Sequence, residues 1–575
     1  MNIRALCTFC DWTALGGAWG KPGLYSILDQ MKVAGITEVY IRAFNGGLAC
    51  YPSKVAQVQD RYGYDEWKKM QLYPQPTMSV EYLRVMDFHE YDPILDAVKA
   101  AEEFGIKLYI WYSMYEDDHG GAFLGQFARE RPQFWQMDRE GRSYSGTLDF
   151  FYDEVRQHKL AVVDELLAYG AEGLMLDFVR HNACPSADGN GVHRMGYNPE
   201  IRAHFKGKHG VDPIDLPADD PTWLAFKTDI QTSFVREISR KLHSTSPGKE
   251  LSLMLWPVDN KKWLCLDVPE LSAEGHIQMA TSMSIKYSIR PQEGVDMYHC
   301  LRSQVDTAKT KVVPGICCYD GNYPDLVDDY VERAEAEGVD DMMLYESDAV
   351  LRSKLMMTIR SMNLGEPKYK RVLKAARVST GSTLDIDWSC VPDYADFLFN
   401  SGVKAEQIPS EMTSVKIAYT DRELVFRFTC HDSNMPAALA PQVEQPEKQY
   451  YLDVLGSRTF YYYVNSFNIF IDPQHSHQDY IHLGVSPANE RSQHAYSDEE
   501  WNEDWKSSVT AESDKWVGTI TTPFDSLGVR APSPGDRWGI NPLRGIRAKE
   551  ETNIWFYILW SLPFPDDMGH LEFGA

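Results

Sequence analysis

The sequence predicts a (β/α)8 barrel followed by an all-β antiparallel sandwich, and three observations carry that prediction. Over the first 365 residues, apolar runs of strand length alternate with helical patterns, eight of each, the signature of parallel strands joined by crossover helices. Several helices end in glycine directly before the next strand, at Gly35, Gly105, Gly170, Gly275 and Gly338, where a left-handed residue turns the chain back into the sheet. From about Glu366 the helical period stops and short alternating segments separated by turn residues take over. A chain of 575 residues exceeds what one core supports. The expected domains are therefore 1–365 and 366–575.

The strands are predicted at 3–9, 38–43, 107–112, 173–178, 251–256, 277–287, 311–319 and 341–345. Helices are predicted at 23–34, 91–104, 152–169, 221–242, 261–274, 295–309, 324–337 and 353–362. An open doubly wound sheet would carry a Gly-rich nucleotide turn after its first strand. This chain has Phe9-Cys10-Asp11-Trp12 there, which favours the barrel and gives no reason to expect a cofactor. In the second half, segments 414–419, 423–428, 467–471, 516–520 and 554–558 alternate as sandwich strands do.

Composition narrows the partners. Hydrophobic residues make up 43% and charged residues 24%, ordinary for a packed protein. The net charge of −26 repels phosphate backbones and anionic lipid, which argues against nucleic acid and membranes. No apolar run approaches the roughly 18 residues that span a bilayer. Residues 1–7 read as a strand rather than a signal peptide. The ten cysteines are scattered, and Cys7-x-x-Cys10 has no second pair at metal spacing, so no metal is expected. Reduced thiols point to the cytoplasm, or to secretion if a leader precedes this sequence. A carbohydrate is the expected partner, with a homodimer left open.

In a barrel of this kind the chemistry sits at the carboxyl ends of the strands. Asp11 follows strand one, Arg42 and Asn45 strand two, Trp111, Tyr112 and His119 strand three. Asp177, Arg180 and His181 follow strand four, and Trp256 and Asp259 strand five. Tyr287 follows strand six, Tyr319-Asp320 strand seven, and Tyr345, Glu346 and Asp348 strand eight. Carboxylates, aromatic faces and arginines together suit glycosidic cleavage, which needs a proton donor, a base or nucleophile, and platforms for sugar rings. The catalytic candidates are Asp11, His119, Asp177 and Glu346. The substrate-binding candidates are Arg42, Asn45, Trp111, Tyr112, Arg180, His181, Trp256, Tyr287 and Tyr345.

Plainer readings stand beside these. Asp177 ends the apolar run Gly173-Leu-Met-Leu and could pair with Arg180 or cap a helix. Arg42 could bind a substrate carboxylate or pair with a neighbouring acid. His119 follows Glu116-Asp117-Asp118 and belongs either to a proton relay or to a solvated acidic loop.

Residues 91 to about 213 resemble the barrels of glycosyl-hydrolase-like family 10. The matching features are Tyr91-Asp-Pro, Phe104-Gly-Ile-Lys-Leu-Tyr-Ile-Trp111, Arg131-Pro-Gln-Phe-Trp135, Asp138-Arg-Glu-Gly141, Leu148-Asp149, Glu154-Val-Arg156, Gly173 to Arg180, and Gly196-Tyr197. The resemblance implies a glycosidase-type barrel with a role for Asp177. Asp11 on strand one departs from that pattern and looks like the inverting exo-sialidase barrels. There Asp11 and His119 would form the base couple, with Arg42 or Arg180 holding the sialic-acid carboxylate. The tail resembles family 9 carbohydrate-binding modules at Ser414 to Asp421, Leu424 to Phe428 with His431-Asp432, Phe467 to Pro473, Pro523-Phe-Asp-Ser-Leu527 and Arg537-Trp-Gly-Ile-Asn541. Trp501, Trp505 and Trp538 would then either stack on sugar or pack the sandwich. The expected function is a glycoside hydrolase, in its narrower form an exo-sialidase. The alternatives are a lyase or deacetylase on the same barrel, or a glycan-binding protein without catalysis.

Overall fold

The computed structural model describes residues 2–7, 20–33, 35–62, 65–66, 87–118, 123–179, 191–282, 291–317, 333–345, 371–378, 386–399, 409–439, 465–476, 479–498, 500–546, 549, 551–555 and 568–575. The chain divides into two compact units, one of Met1–Phe9 with Leu28–Glu366 and one of Cys10–Ile27 with Pro367–Ala575.

The first unit holds a closed barrel of eight parallel strands. They are β1 (Asn2–Cys7), β2 (Ile36–Arg42), β3 (Lys107–Ser113), β4 (Gly173–Asp177), β5 (Glu250–Leu255), β6 (Met279–Ser282), β7 (Lys311–Cys317) and β8 (Asp341–Tyr345). Each pairs with the next and β8 closes on β1. Strands buried on both faces read as continuous apolar runs; every residue of β4 is buried. Helices α1 (Lys21–Val33), α2 (Pro93–Phe104), α3 (Asp153–Leu167), α4 (Pro199–His209), α5 (Pro221–Thr245), α6 (Val268–Ala273) and α7 (Pro291–Arg302) occupy the crossovers. The Asp92 side chain caps α2 by accepting the Leu95 N–H, and Asp220 caps α5 through Thr222 and Trp223. The five glycines that precede strands all have positive φ.

The predicted helix 261–274 is instead two pieces, Asn260–Trp263 and α6. Cys265 between them is left-handed (φ 53°), and Asp267 starts the second piece by accepting the Glu270 N–H. A hairpin, Phe44–Asn45 with Leu48–Ala49, follows β2, and an antiparallel pair, Trp135–Met137 with Ser143–Leu148, follows β3. The predicted helix 353–362, most of 324–337, and the carboxyl ends predicted for strands six and seven lie outside the described residues.

Leu6, Tyr40, Tyr109, Trp111, Met175, Met254, Met279, Val313 and Met343 fill the barrel, with half-buried Trp256 packed against them. Below this layer the amino ends of the strands carry charge. Arg4 binds Glu38 at 2.6 Å and also binds Asp341, and Lys311 reaches Asp341 at 2.6 Å. The Tyr109 hydroxyl donates to Glu250 at 2.8 Å.

The second unit is a sandwich. In chain order its main strands are β9 (Val372–Arg377), β10 (Thr413–Tyr419), β11 (Glu423–His431), β12 (Ser466–Asp472), β13 (Ile481–Val485), β14 (Arg491–Ala495), β15 (Lys506–Ala511), β16 (Lys515–Pro523), β17 (Arg537–Ile546) and β18 (Gly569–Phe573). One sheet runs β14-β13-β12-β17-β18 and the other β10-β11-β16-β15. Strand β9 joins them, pairing in parallel with β18 through Val372–Ala375 and with β10 through Ala376–Arg377. The pairings are otherwise antiparallel. Trp505 and Trp538 are buried in the core between the sheets, and Trp501 packs against it. Trp505 and Trp538 therefore pack the sandwich rather than form an open platform.

Candidate active site

Strand alternation selects which side chains meet on the barrel axis. Trp111 and Ser113 are two residues apart on β3 and share a face, and Ser113 pairs with Asp177 across the β3–β4 register. Asp177 is fully buried. Its Oδ2 accepts the Trp111 indole N–H at 3.0 Å and the Ser113 hydroxyl at 3.4 Å, and its Oδ1 accepts the Val179 N–H at 2.8 Å. Burying a carboxylate is costly unless donors replace its water. Three donors aimed at its two oxygens do so here.

Arg42, the last residue of β2, pairs with Trp111 in register. Its guanidinium stands 5.3 Å from the centre of the Trp111 ring, a cation–π arrangement. Its Nη2 donates to both oxygens of Glu116, at 2.5 Å to Oε1. Burial opposes the charge on Arg42, but Glu116 outweighs it and Asp177 adds to it, so the guanidinium titrates above its ordinary value. Burial pushes the neighbouring Cys50 thiol up to about 12. Among the described residues the Nε of Arg42 has no hydrogen-bond partner.

The acids after β3 are not a solvated loop. Glu116, Asp117 and Asp118 are all buried, and each has a specific partner. Glu116 holds Arg42, Asp117 accepts from the buried ammonium of Lys159 at 2.8 Å, and Asp118 accepts from the Ser145 hydroxyl at 2.8 Å. Backbone is packed on backbone around them. A Cβ at Gly47 (φ +76°) would lie 2.4 Å from the Asp117 carbonyl oxygen, and one at Gly125 would lie 2.5 Å from the carbonyl of Gly47.

Of the residues singled out from sequence, Arg42, Trp111 and Asp177 come together. Trp256 joins them from the end of β5, its ring 6.4 Å from Trp263. Tyr112 does not, because the pleat turns it to the opposite face from Trp111. There it meets the ring of Phe44 at 4.8 Å and the ammonium of Lys159 at 5.7 Å, and burial raises its hydroxyl well above the ordinary value. Arg42, expected to take a substrate carboxylate, is committed to Glu116. Asn45 is buried in the hairpin after β2, its Oδ1 without a partner among the described residues. Asp259 caps the short helix Asn260–Trp263. The backbone of Tyr345 ends β8 against Cys317. Asp11, His119, Arg180, His181, Tyr287 and Glu346 lie outside the described residues.

Ser113 and Thr281 are not singled out from sequence, and Glu116 is treated there only as one of three loop acids. The signal for Ser113 and Thr281 is period two, since each lies two residues beyond a residue that fills the barrel, Trp111 and Met279. Thr281 is fully buried and its hydroxyl has no partner among the described residues. Outside the mouth, Asp149 is a buried acid whose carboxyl is raised to about 6 by burial, against the opposing Phe151 N–H and the charge of Lys227.

No protein-family model matches the chain, and no curated protein matches it. Among solved structures it is similar to the catalytic domain of the β-amylase of Paenibacillus polymyxa, at 10% identity over 60% of this chain and 92% of that one, with a TM-score of 0.38. It is similar to a pneumococcal exo-β-D-N-acetylglucosaminidase with tandem catalytic modules, at 10% identity over 63% and 83%, with a TM-score of 0.36. It is also similar to a family 9 carbohydrate-binding module of Caldicellulosiruptor kristjanssonii in complex with glucose, at 12% identity over 36% and 97%, with a TM-score of 0.25.

Proposed function

We propose that this chain is a glycoside hydrolase whose active site is the carboxyl-end mouth of the barrel, with Asp177 as its working carboxylate. The observation that supports this reading is the set of donors on Asp177. An indole N–H, a hydroxyl and a backbone N–H stabilise the anion, and Arg42 adds a positive charge nearby. An acid kept as an anion suits a nucleophile or base rather than a proton donor. The donor to the leaving oxygen then comes from elsewhere, and Glu346 and His119 are the proposed groups.

In the reaction, the donor protonates the glycosidic oxygen as its bond to the anomeric carbon breaks. Either Asp177 attacks that carbon directly, or a water deprotonated by the base does so. Carboxyl groups about 5 Å apart predict retention, and roughly 6.5–9.5 Å predict inversion.

The narrower reading is an inverting exo-sialidase with Asp11 and His119 as the base couple. It needs an arginine for the sugar's carboxylate. With Arg42 committed to Glu116, that role falls to Arg180. Turnover of a panel of aryl glycosides that includes an aryl sialoside tests both levels. Cleavage of any member by wild type, lost in Asp177→Asn, supports the hydrolase. Cleavage confined to the sialoside, and lost in Arg180→Met, supports the narrower form. Full turnover in Asp177→Asn would remove Asp177 from the mechanism.

A further inference from the structure

Building on this assignment of the mouth as the active site, we propose that Arg42 and Glu116 form a charge-setting pair for Asp177. Arg42 favours the ionised carboxylate, and Glu116 limits that effect by drawing on the same charge. Neither is placed as a catalytic residue; both are positioning residues that act on Asp177 from behind.

The geometry supports this in three ways. First, Arg42 is bound directly to the carboxylate of Glu116, its Nη2 donating to both oxygens. Second, Arg42 faces the π surface of Trp111 at 5.3 Å, and the N–H of that indole is the 3.0 Å donor to Asp177 Oδ2. A cation over the ring withdraws electron density and strengthens the N–H as a donor. Third, all four side chains are buried, where charges act on one another more strongly than in water.

The other titratable described residues nearby are occupied or neutral. Burial keeps the Cys50 thiol protonated, with its pKa pushed up to about 12. Asp117 is held by Lys159, and Asp118 by Ser145. From β5 the register partner of Asp177 is the uncharged Met254. Glu116→Gln therefore removes the anion that offsets Arg42 at Asp177, whereas Arg42→Met removes the cation itself. The two variants should shift the titration of Asp177 in opposite directions, which a role in holding the fold together would not produce.

The test reads the charge state of Asp177 through its own donor. In the full-length protein labelled with 15N at its tryptophans, the Trp111 indole peak is the one absent from Trp111→Phe. Its position is followed from pH 3 to pH 8, and Asp177→Asn should abolish its titration. Relative to wild type, the midpoint is expected to fall by about one pH unit in Glu116→Gln and to rise by about one in Arg42→Met. Glu116→Asp, which keeps the charge, should stay near wild type. The double variant should lie between the two single variants, because the effects of the two charges on Asp177 add. Removing both partners together also avoids stranding one buried charge, so the double variant keeps the test open if a single variant does not fold.

A midpoint that rises or stays fixed in Glu116→Gln overturns the proposal. So does a double variant whose midpoint falls outside the range of the two single variants, or a peak that is flat in wild type and Arg42→Met alike. The hydrolase reading fails separately. If Asp177→Asn retains turnover while the midpoints move as expected, the charge pair stands and the catalytic role does not.

Discussion

The two ends of the barrel spend their buried charge differently. At the amino end, Arg4 lies between Glu38 and Asp341, Lys311 reaches Asp341, and Lys107 lies 4.0 Å from Glu38. Cations and anions there alternate, and the arrangement seals the barrel. At the carboxyl end, Arg42 is bound to Glu116 and faces the Trp111 ring, whose indole N–H serves Asp177. Three polar atoms there, Arg42 Nε, Thr281 Oγ1 and Trp256 Nε1, have no hydrogen-bond partner among the described residues. Buried polar groups are normally satisfied, and exceptions call for a reason. The contrast follows the division of labour in such barrels, with stability at the amino end and chemistry at the carboxyl end.

The largest expected effect tests the carboxyl end. Asp177→Asn keeps the shape and the Val179 contact but removes the charge. Turnover of any aryl glycoside the wild type cleaves should fall by about three to four orders of magnitude. Its melting temperature should stay close to that of wild type. A variant that unfolds instead of losing turnover would place Asp177 with the structural ion pairs.

The amino end should give the opposite result. Arg4→Met strands Glu38 and Asp341, leaving Lys107 and Lys311 as the cations that answer them among the described residues. Breaking a buried pair from one side costs about 3 kcal/mol. Urea unfolding should show that loss, while turnover per folded molecule stays unchanged. A fall in turnover without a fall in stability would mean the two ends are not separate in function.

Much of this contrast was legible in the sequence. The strand–helix alternation, the glycine caps and the position of Asp177 are local patterns, and local patterns set the order and spacing of the strands. What was not legible depends on which face a side chain occupies and what it meets there. Tyr112 and Trp111 are adjacent and aromatic, and only the pleat separates the one facing the axis from the one facing Phe44. Glu116-Asp117-Asp118 looks like a solvated run because the partners that bury it, Arg42, Lys159 and Ser145, come from three other segments. The break at Cys265 was hidden for another reason, since a left-handed residue other than glycine leaves no mark in the periodicity.

A smaller effect bears on how the carboxyl end is braced. Gly47→Ala introduces both an unfavourable φ and a Cβ 2.4 Å from the Asp117 carbonyl. Strain and crowding together should cost about 2–4 kcal/mol. The clash lies on the loop that carries Glu116. Part of the damage should therefore appear as lower turnover in the molecules that remain folded, unlike Arg4→Met. Unfolding and kinetics measured on the same preparation separate the two contributions. Lost stability with normal turnover would show that the hairpin after β2 supports the fold but not the site.

The last effect is a change of slope at Asp149. Its carboxyl titrates at about 6 in the folded chain because burial disfavours the charge, against about 3.9 when unfolded. Below about pH 4 both states are protonated and the acid is neutral to stability. Between about 4 and 6 the unfolded chain releases the proton first, so stability falls as pH rises. Above about 6 the full penalty remains and no longer changes. Asp149→Asn keeps the acceptor for the Phe151 N–H but cannot ionise. Relative to wild type it should gain about 3 kcal/mol across that window and then run parallel. Unfolding curves at pH 4, 5, 6 and 7.5 measure this directly. A difference that is flat with pH would mean that Lys227 already stabilises the Asp149 anion as well as water does. The barrel would then hold a further balanced charge pair in Asp149 and Lys227.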